Sequence, residues 1–382
     1  GGMAMAFIDL YRDAICRLAR FRLKEDTETV KTVAVIDALL ERASTITEGA
    51  VPNIRFETIP GHTVENYMGR ALRYLSALER GEYPLKGMFA EPGTALVDHS
   101  FVEKDGRLHV FYNIGRIGYE WTERYVDSFG HAWTEDLRHW HIEPRCLSVE
   151  PGKYEDYQIW SPGITARDGQ YYMYYTGVNY AVAQSLRLAR STDLYHWEKY
   201  TDEPVFLPGE WSGWRIDRWS DCRDPAPLID GDGTAYLYYC TAVADGSERG
   251  RAAMGIACSK DLLHWEDCGF CELEGCTNAL ESPFVMHRDG RYYLFYTNVG
   301  RGTAYAIADA PLGPWKAMGM LIETDGRYPC PNHVPSCSEV FCFKGQWYIS
   351  CAWRHPGCEQ YLEIFSLRFA ADGTPIVGER IE

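Results

Sequence analysis

The spacing of apolar residues changes near residue 92, dividing the chain into a segment 1–91 and a segment 92–382. Before that point apolar residues recur every three or four positions. Phe7, Tyr11, Ile15 and Leu18 make one stripe, and Val30, Val33, Ile36 and Leu40 make a second after the cap-forming Asp26-Thr27. Tyr67, Ala71, Leu75 and Leu78 predict a third helix from Thr63 to Arg80, with Gly81 placed to end it. The simplest role for this helical extension is packing on the segment that follows. A contact between copies of the chain, giving a homo-oligomer, or a lid over a site are the alternatives.

Beyond residue 92 the period shortens to two and a repeat emerges. DHSFVEKDGRLHVFYN (98–113), WSPGITARDGQYYMYYTG (160–177), DPAPLIDGDGTAYLYYCT (224–241) and ESPFVMHRDGRYYLFYT (281–297) share one plan, with a weaker fifth copy in SEVFCFKGQWYISCAW (338–353). In each, an apolar strand, a Gly-bearing turn and an aromatic-rich strand spell a β-hairpin. A second motif lies downstream: WTEDLRHWH (133–141), STDLYHWE (191–198), SKDLLHWE (259–266) and a degenerate DAPLGPWK (309–316). Hairpin plus hairpin gives four strands per unit. Five such units predict a mainly β fold, a five-bladed β-propeller behind a helical N-terminal extension. The repeated His139, His196 and His264 read as structural, and Trp140, Trp197, Trp265 and Trp315 as packing between blades.

Composition narrows the function. The net charge of −16 over 382 residues, with no basic run, argues against nucleic acid. No stretch approaches the ~18 apolar residues that a membrane span needs. The first residues carry acids early and bases late, the reverse of a secretory signal, so a cytoplasmic protein is expected. The thirteen cysteines then read as reduced thiols. CGFCELEGC (268–276) lacks a second pair at zinc spacing, so its cysteines read as small hydrophobes and no metal site is assigned.

In a propeller the inner strands converge on a central channel. Just before the inner strand, unit one offers Asp98, unit three Asp224 and unit four Glu281, while unit two offers Trp160 and unit five Ser336 to Glu339. Carboxylates held close and partly buried cannot all ionise, so one stays protonated as an acid while another acts as base or nucleophile. That division of labour suits glycosidic bond cleavage.

These residues carry a resemblance to glycoside hydrolase families 43 and 32, over about residues 92 to 370. CRDPAPLI resembles the RDP motif, LESP the E-x-P motif, and IWSPGITARDGQYYMYYTG the W-A-P pattern of family 43. The resemblance implies Glu281 as general acid, Asp98 as base or nucleophile, Asp224 as the orienting acid and Trp160 as a pocket wall. It implies a carbohydrate substrate, a furanoside or pentoside of the arabinofuranoside, xyloside or fructofuranoside type. Val97-Asp98-His99-Ser100 replaces the N-D-P-N-G of family 32, which favours the inverting chemistry of family 43. Family 43 often has a fifth-blade His at a channel calcium. Here PSCSEVF stands in that place with His333 nearby, so no cofactor is required and a structural calcium is the open alternative. Further substrate-binding candidates are Arg223, His99, Trp133, Tyr157 and His333. A binding-only propeller and a sugar phosphorylase using Arg223, His333 and Arg354 are the rival readings.

Overall fold

The computed structural model describes residues 2–48, 61–121, 123–276, 280–324, 334–355 and 358–382. Within them, twenty strands form five antiparallel four-stranded sheets, each from four strands consecutive in sequence. Blade one comprises β1 (Thr94–Lys104), β2 (Arg107–Arg116), β3 (Ser128–Thr134) and β4 (Trp140–Ser148). The inner strands of the next four blades are β5 (Gln158–Arg167), β9 (Cys222–Ile229), β13 (Leu280–Arg288) and β17 (Val340–Phe343). Three inner hairpins turn on Asp-Gly pairs, Asp105-Gly106, Asp168-Gly169 and Asp289-Gly290. All six residues have φ between 50° and 77°, the two-residue turn whose twist suits a hairpin.

The downstream motif is a turn that seats a tryptophan. The hydroxyls of Thr134, Ser191 and Ser259 accept from the amides of Leu137, Leu194 and Leu262, which lie in left-handed backbone. Asp136, Asp193 and Asp261 accept from backbone amides and meet His139, His196 and His264 at 2.6, 2.7 and 2.6 Å, so these histidines are structural. Each following tryptophan reaches back to the preceding blade: Trp197 to Phe111, Trp265 to Tyr174 and Trp315 to Tyr238, all edge to face.

Trp140 of blade one breaks this pattern and stacks on Phe89 at 4.7 Å. Phe89 exchanges backbone hydrogen bonds of 2.9 and 2.8 Å with Leu362 in β19 (Gln360–Phe369) of blade five. Because each blade uses consecutive strands, the first and last share none, and the seam must close by packing. The helices do this: α1 (Gly2–Leu18), α2 (Thr27–Glu48) and α3 (Val64–Glu79), the last capped by the Thr63 hydroxyl. Leu18, Ile36, Leu39 and Leu75 enter one core with Leu96 and Val110 of blade one and Phe341 and Tyr361 of blade five. Most of the predicted apolar stripes are thus buried within the chain. Ile15 and Val30, counted in the predicted stripes, face solvent instead.

One cysteine expectation is corrected. Cys258 and Cys268 form a disulfide across β11 (Arg251–Ser259) and β12 (Glu266–Cys271), so the thiols are not all reduced. Antiparallel pairing brings these two side chains together, which spacing along the chain does not reveal. Cys271 and Cys276 do pack as small hydrophobes. Among the described residues no helix is long and apolar enough to cross a membrane.

Candidate active site

The ring at the channel mouth is built from an interruption common to the blades. Strand register shifts between Leu96 and His99, Trp160 and Gly163, and Glu281 and Phe284, with a matching shift opposite Asp224 in blade three. Such bulges re-aim side chains at a sheet's end. They bring Asp98, Ser161, Asp224, Ser282 and Cys337 to equivalent places around one opening. The last four have φ of 56°, 61°, 47° and 59°, a left-handed form costing roughly 1–2 kcal/mol for a residue with a Cβ. Strained backbone gathers where side chains must be aimed.

This register corrects the sequence reading in one respect. Asp98 and Asp224 share a position, but Glu281 stands one residue earlier, where blade two has Trp160 and blade three Arg223. The site has two tiers: a ring of small polar residues, and above it Trp160, Arg223 and Glu281.

Hydrogen bonds tie each ring residue to its neighbours. The Ser161, Asp224 and Cys337 amides donate to Asn113, Thr176 and Thr297 at the ends of the preceding blades' second strands. In blade three that place holds Cys240, a poor acceptor, and the Ser282 amide donates to Asp224 Oδ2 at 2.9 Å instead. The Ser282 hydroxyl lies 2.7 Å from Asp98 Oδ1 and 3.5 Å from Asp224 Oδ2, linking the two acids. Asp98 also accepts from Ser161 Oγ at 3.2 Å and Asn113 Nδ2 at 3.3 Å.

Burial raises both carboxyls. Asp224 is pushed up to about 8 by burial and by the charge of Asp98, against the opposing pull of Arg223. Asp98 is raised by burial and by Glu281, while the Ser282, Cys337 and Ser161 hydrogen bonds hold it down. Two acids this close keep one proton between them near neutral pH. Three side-chain donors favour the anion on Asp98, so the proton resides on Asp224. Glu281, with 39% of its side chain exposed, receives Arg223 Nη2 at 3.0 Å. Arg223 Nη1 is shared between Gln184 and Asp221.

These groups line a pocket of about 590 Å³, which also takes in Trp160, Arg223 and Arg354. Other candidates lie elsewhere. His99 is buried, its Nε2 2.6 Å from Ser350 Oγ, and burial pushes it down to about 4; it pins blade one to blade five as a neutral ring. Trp133 sits on β3, stacked on His141 at 4.0 Å under the Arg107 guanidinium, away from the pocket. Tyr157 is buried against Tyr180 and does not line it. His333 lies outside the described residues. Sequence reasoning missed Trp121 and Trp219, which meet edge to face at 5.1 Å on the pocket wall, and Tyr119 and Tyr125 beside them. None sits in a repeated motif. Their one signal is an aromatic in an irregular segment, after β2 for Tyr119, Trp121 and Tyr125 and just before β9 for Trp219.

The described residues at the channel do not fit a calcium ion. Among the described residues no group of three or more His, Cys, Asp or Glu could hold a metal. The fifth-blade ring position holds Cys337, whose thiol burial keeps protonated, where calcium asks for oxygen ligands. Of the cations offered for phosphate, Arg223 is matched by Asp221 and Glu281, Arg354 faces at 3.8 Å a Glu359 that also pairs with Arg70, and His333 lies outside the described residues.

The chain is similar to known carbohydrate-active proteins. A xylosidase/arabinosidase of Bacteroides ovatus is 21% identical over 339 residues, covering 75% of this chain and 96% of that one. An arabinoxylan arabinofuranohydrolase of Paenibacillus polymyxa is 25% identical over 150 residues, 33% of this chain and 22% of that protein. Among solved structures, a thermostable family-43 glycoside hydrolase superposes with a TM-score of 0.59 at 20% identity, covering 75% of this chain and 93% of its own. A β-xylosidase/α-arabinofuranosidase from a compost metagenome, solved with xylotriose in a calcium-free form, gives 0.59 at 17% identity and 74% and 94% coverage. The family model described as glycosyl hydrolases family 43 matches residues 119–375, from the pocket wall before β3 into blade five. With the propeller, the acid-lined pocket and that match in agreement, the chain belongs to glycosyl hydrolase family 43, and it is a glycosidase.

Proposed function

We propose that the enzyme releases a terminal pentose, an arabinofuranosyl or xylosyl unit, with inversion at the anomeric carbon. Asp98 acts as general base on a water molecule, Glu281 protonates the leaving oxygen, and Asp224 orients the sugar and holds the proton that leaves Asp98 ionised. The observation that carries this reading is the Ser282 hydroxyl linking Asp98 to Asp224, with Glu281 one residue upstream on the same strand. A base must be the anion, and three donors stabilise Asp98 as one. Glu281 reaches the open part of the pocket, where a leaving group departs. The pentose assignment is supported by the names of the similar proteins, and a pocket of about 590 Å³ suits a single sugar unit with part of its neighbour.

The test is hydrolysis of nitrophenyl arabinofuranosides, xylosides and galactofuranosides, with the anomer of the first product read by proton magnetic resonance. Turnover of a pentoside with inversion is expected. In Glu281→Gln, which keeps shape without a transferable proton, kcat on a poor leaving group should fall about 10²–10⁴-fold. Retention of configuration overturns the base role of Asp98, and undiminished turnover in Glu281→Gln removes the acid.

A further inference from the structure

The family match begins at residue 119, so α1 to α3 lie outside it. Yet α2 and α3 grip two loops of the pocket wall. The β2–β3 loop supplies Tyr119, Glu120 and Trp121 to the pocket, and the start of β19 with the end of β18 (Gln346–Arg354) supplies Gln360 and Arg354.

Arg42 of α2 makes three contacts with the first loop. Its Nε donates to Gly118 O at 3.0 Å, its Nη2 to Glu123 Oε2 at 2.7 Å, and its guanidinium lies 3.8 Å from the Tyr119 ring centre. Tyr67 of α3 donates to the same Gly118 carbonyl at 2.6 Å. Glu123 Oε1 in turn accepts the Glu120 amide at 3.0 Å, fixing the turn that carries Trp121. His62 spans Glu120 and Glu123 at 3.7 and 3.3 Å. The Arg42–Glu123 pair is about 1% exposed on both sides, so neither charge has water as an alternative partner. On the second loop, Arg70 of α3 pairs with Glu359, and Tyr74 reaches its other oxygen at 3.4 Å. Glu359 is the carboxylate facing Arg354.

We propose that the helical extension sets the subsite for the leaving group: Arg42 and Arg70 are positioning residues that hold Trp121 and Arg354 at the pocket mouth. This rests on the reading of a terminal sugar cleaved in this pocket. The buried acids then mark where that sugar ends, and the 38% exposed Trp121, edge to face with Trp219, marks where the rest of the substrate lies. An indole there offers a sugar ring an apolar face. Arg42 acts through Gly118, Tyr119 and Glu123, never on substrate.

Two variants test it: Trp121→Ala, and the paired Arg42→Met/Glu123→Leu, which removes both charges and strands neither. The readouts are KM for xylobiose and for α-1,5-arabinobiose, and the inhibition constant of the matching free pentose. Each variant should raise the disaccharide KM about tenfold, the worth of one aromatic contact, with the pentose constant within about twofold. The triple variant should add little to either. A disaccharide KM unmoved by the paired variant, a matching shift for free pentose, or fully additive effects would overturn the proposal. Arg42→Lys with Glu123 intact should recover part of the loss. Should neither disaccharide be cleaved by the wild-type enzyme, the terminal-pentose reading fails. Amide hydrogen exchange still decides the positioning role: the paired variant should exchange about tenfold faster over residues 116–121 than wild type, with the blade-three and blade-four rims unchanged. Equal exchange overturns it.

Discussion

At the residue scale, the unusual economy of the site is that a single serine serves two acids. Ser282 gives its amide to Asp224 and its hydroxyl chiefly to Asp98. Replacing it with Ala removes the shortest donor to the Asp98 anion, so that carboxyl should titrate about one unit higher. The acidic limb of the kcat/KM profile should move to higher pH by that amount, and an unmoved limb would detach Ser282 from the base. Asp224 makes the opposite kind of test. Its folded-state value near 8 exceeds the ordinary 3.8, so the folded chain binds a proton that the unfolded chain has released. The resulting stability is complete at the acid end and is lost as pH rises through about 8. Asp224→Asn, which tolerates the same left-handed backbone, should unfold at least roughly 2–4 °C higher than wild type at pH 8.5 and no higher at pH 4.5, while losing activity. Thermal scans at the two values check it.

At the scale of elements, the sequence displayed what repeats and concealed what differs. Hairpins, Asp-Gly turns and the tryptophan turns were legible because each is local and recurs in several blades. The two acidic ring residues and Glu281 were legible because they precede recognisable strands. Their one-residue offset was not, since it depends on which residue the bulge leaves unpaired. Trp121 and Trp219 escaped because each lies in a non-repeating segment and they meet only across blades. Trp133 misled for the converse reason: aromatic and strand-bound, it points to the flank of its blade. The β2–β3 loop shows how tightly one such segment is fitted. Gly118 has φ +87°, and a Cβ there would stand 2.6 Å from Arg42 Cγ. Gly118→Ala should therefore cost about 1–3 kcal/mol in denaturant unfolding, from strained backbone and a displaced Arg42. A loss below that range would mean that α2 yields easily.

For the whole molecule, a propeller without a shared strand between its first and last blades needs another closure, and here three helices supply it. Their stripes were evident from the sequence, but not their destination, because packing on both sides of a seam is a property of the closed ring. Expression of residues 81–382 without the helices should bare Leu96, Val110, Phe341 and Tyr361, each costing about 1.5–3 kcal/mol when exposed. The expected product aggregates and binds a hydrophobic dye; a soluble, well-folded product would show that the seam closes unaided.

The left-handed backbone at Ser161, Asp224, Ser282 and Cys337 bears on how such a pocket can be rewritten. Side chains branched at Cβ are disfavoured at those places, while Asp, Asn and small residues fit, so the scaffold constrains shape and leaves chemistry to choice. An acid introduced by Ser161→Asp would face the same opening from another bearing with every strand left in place. The ring thus offers several equivalent places where a single replacement can set a carboxyl without altering the strands.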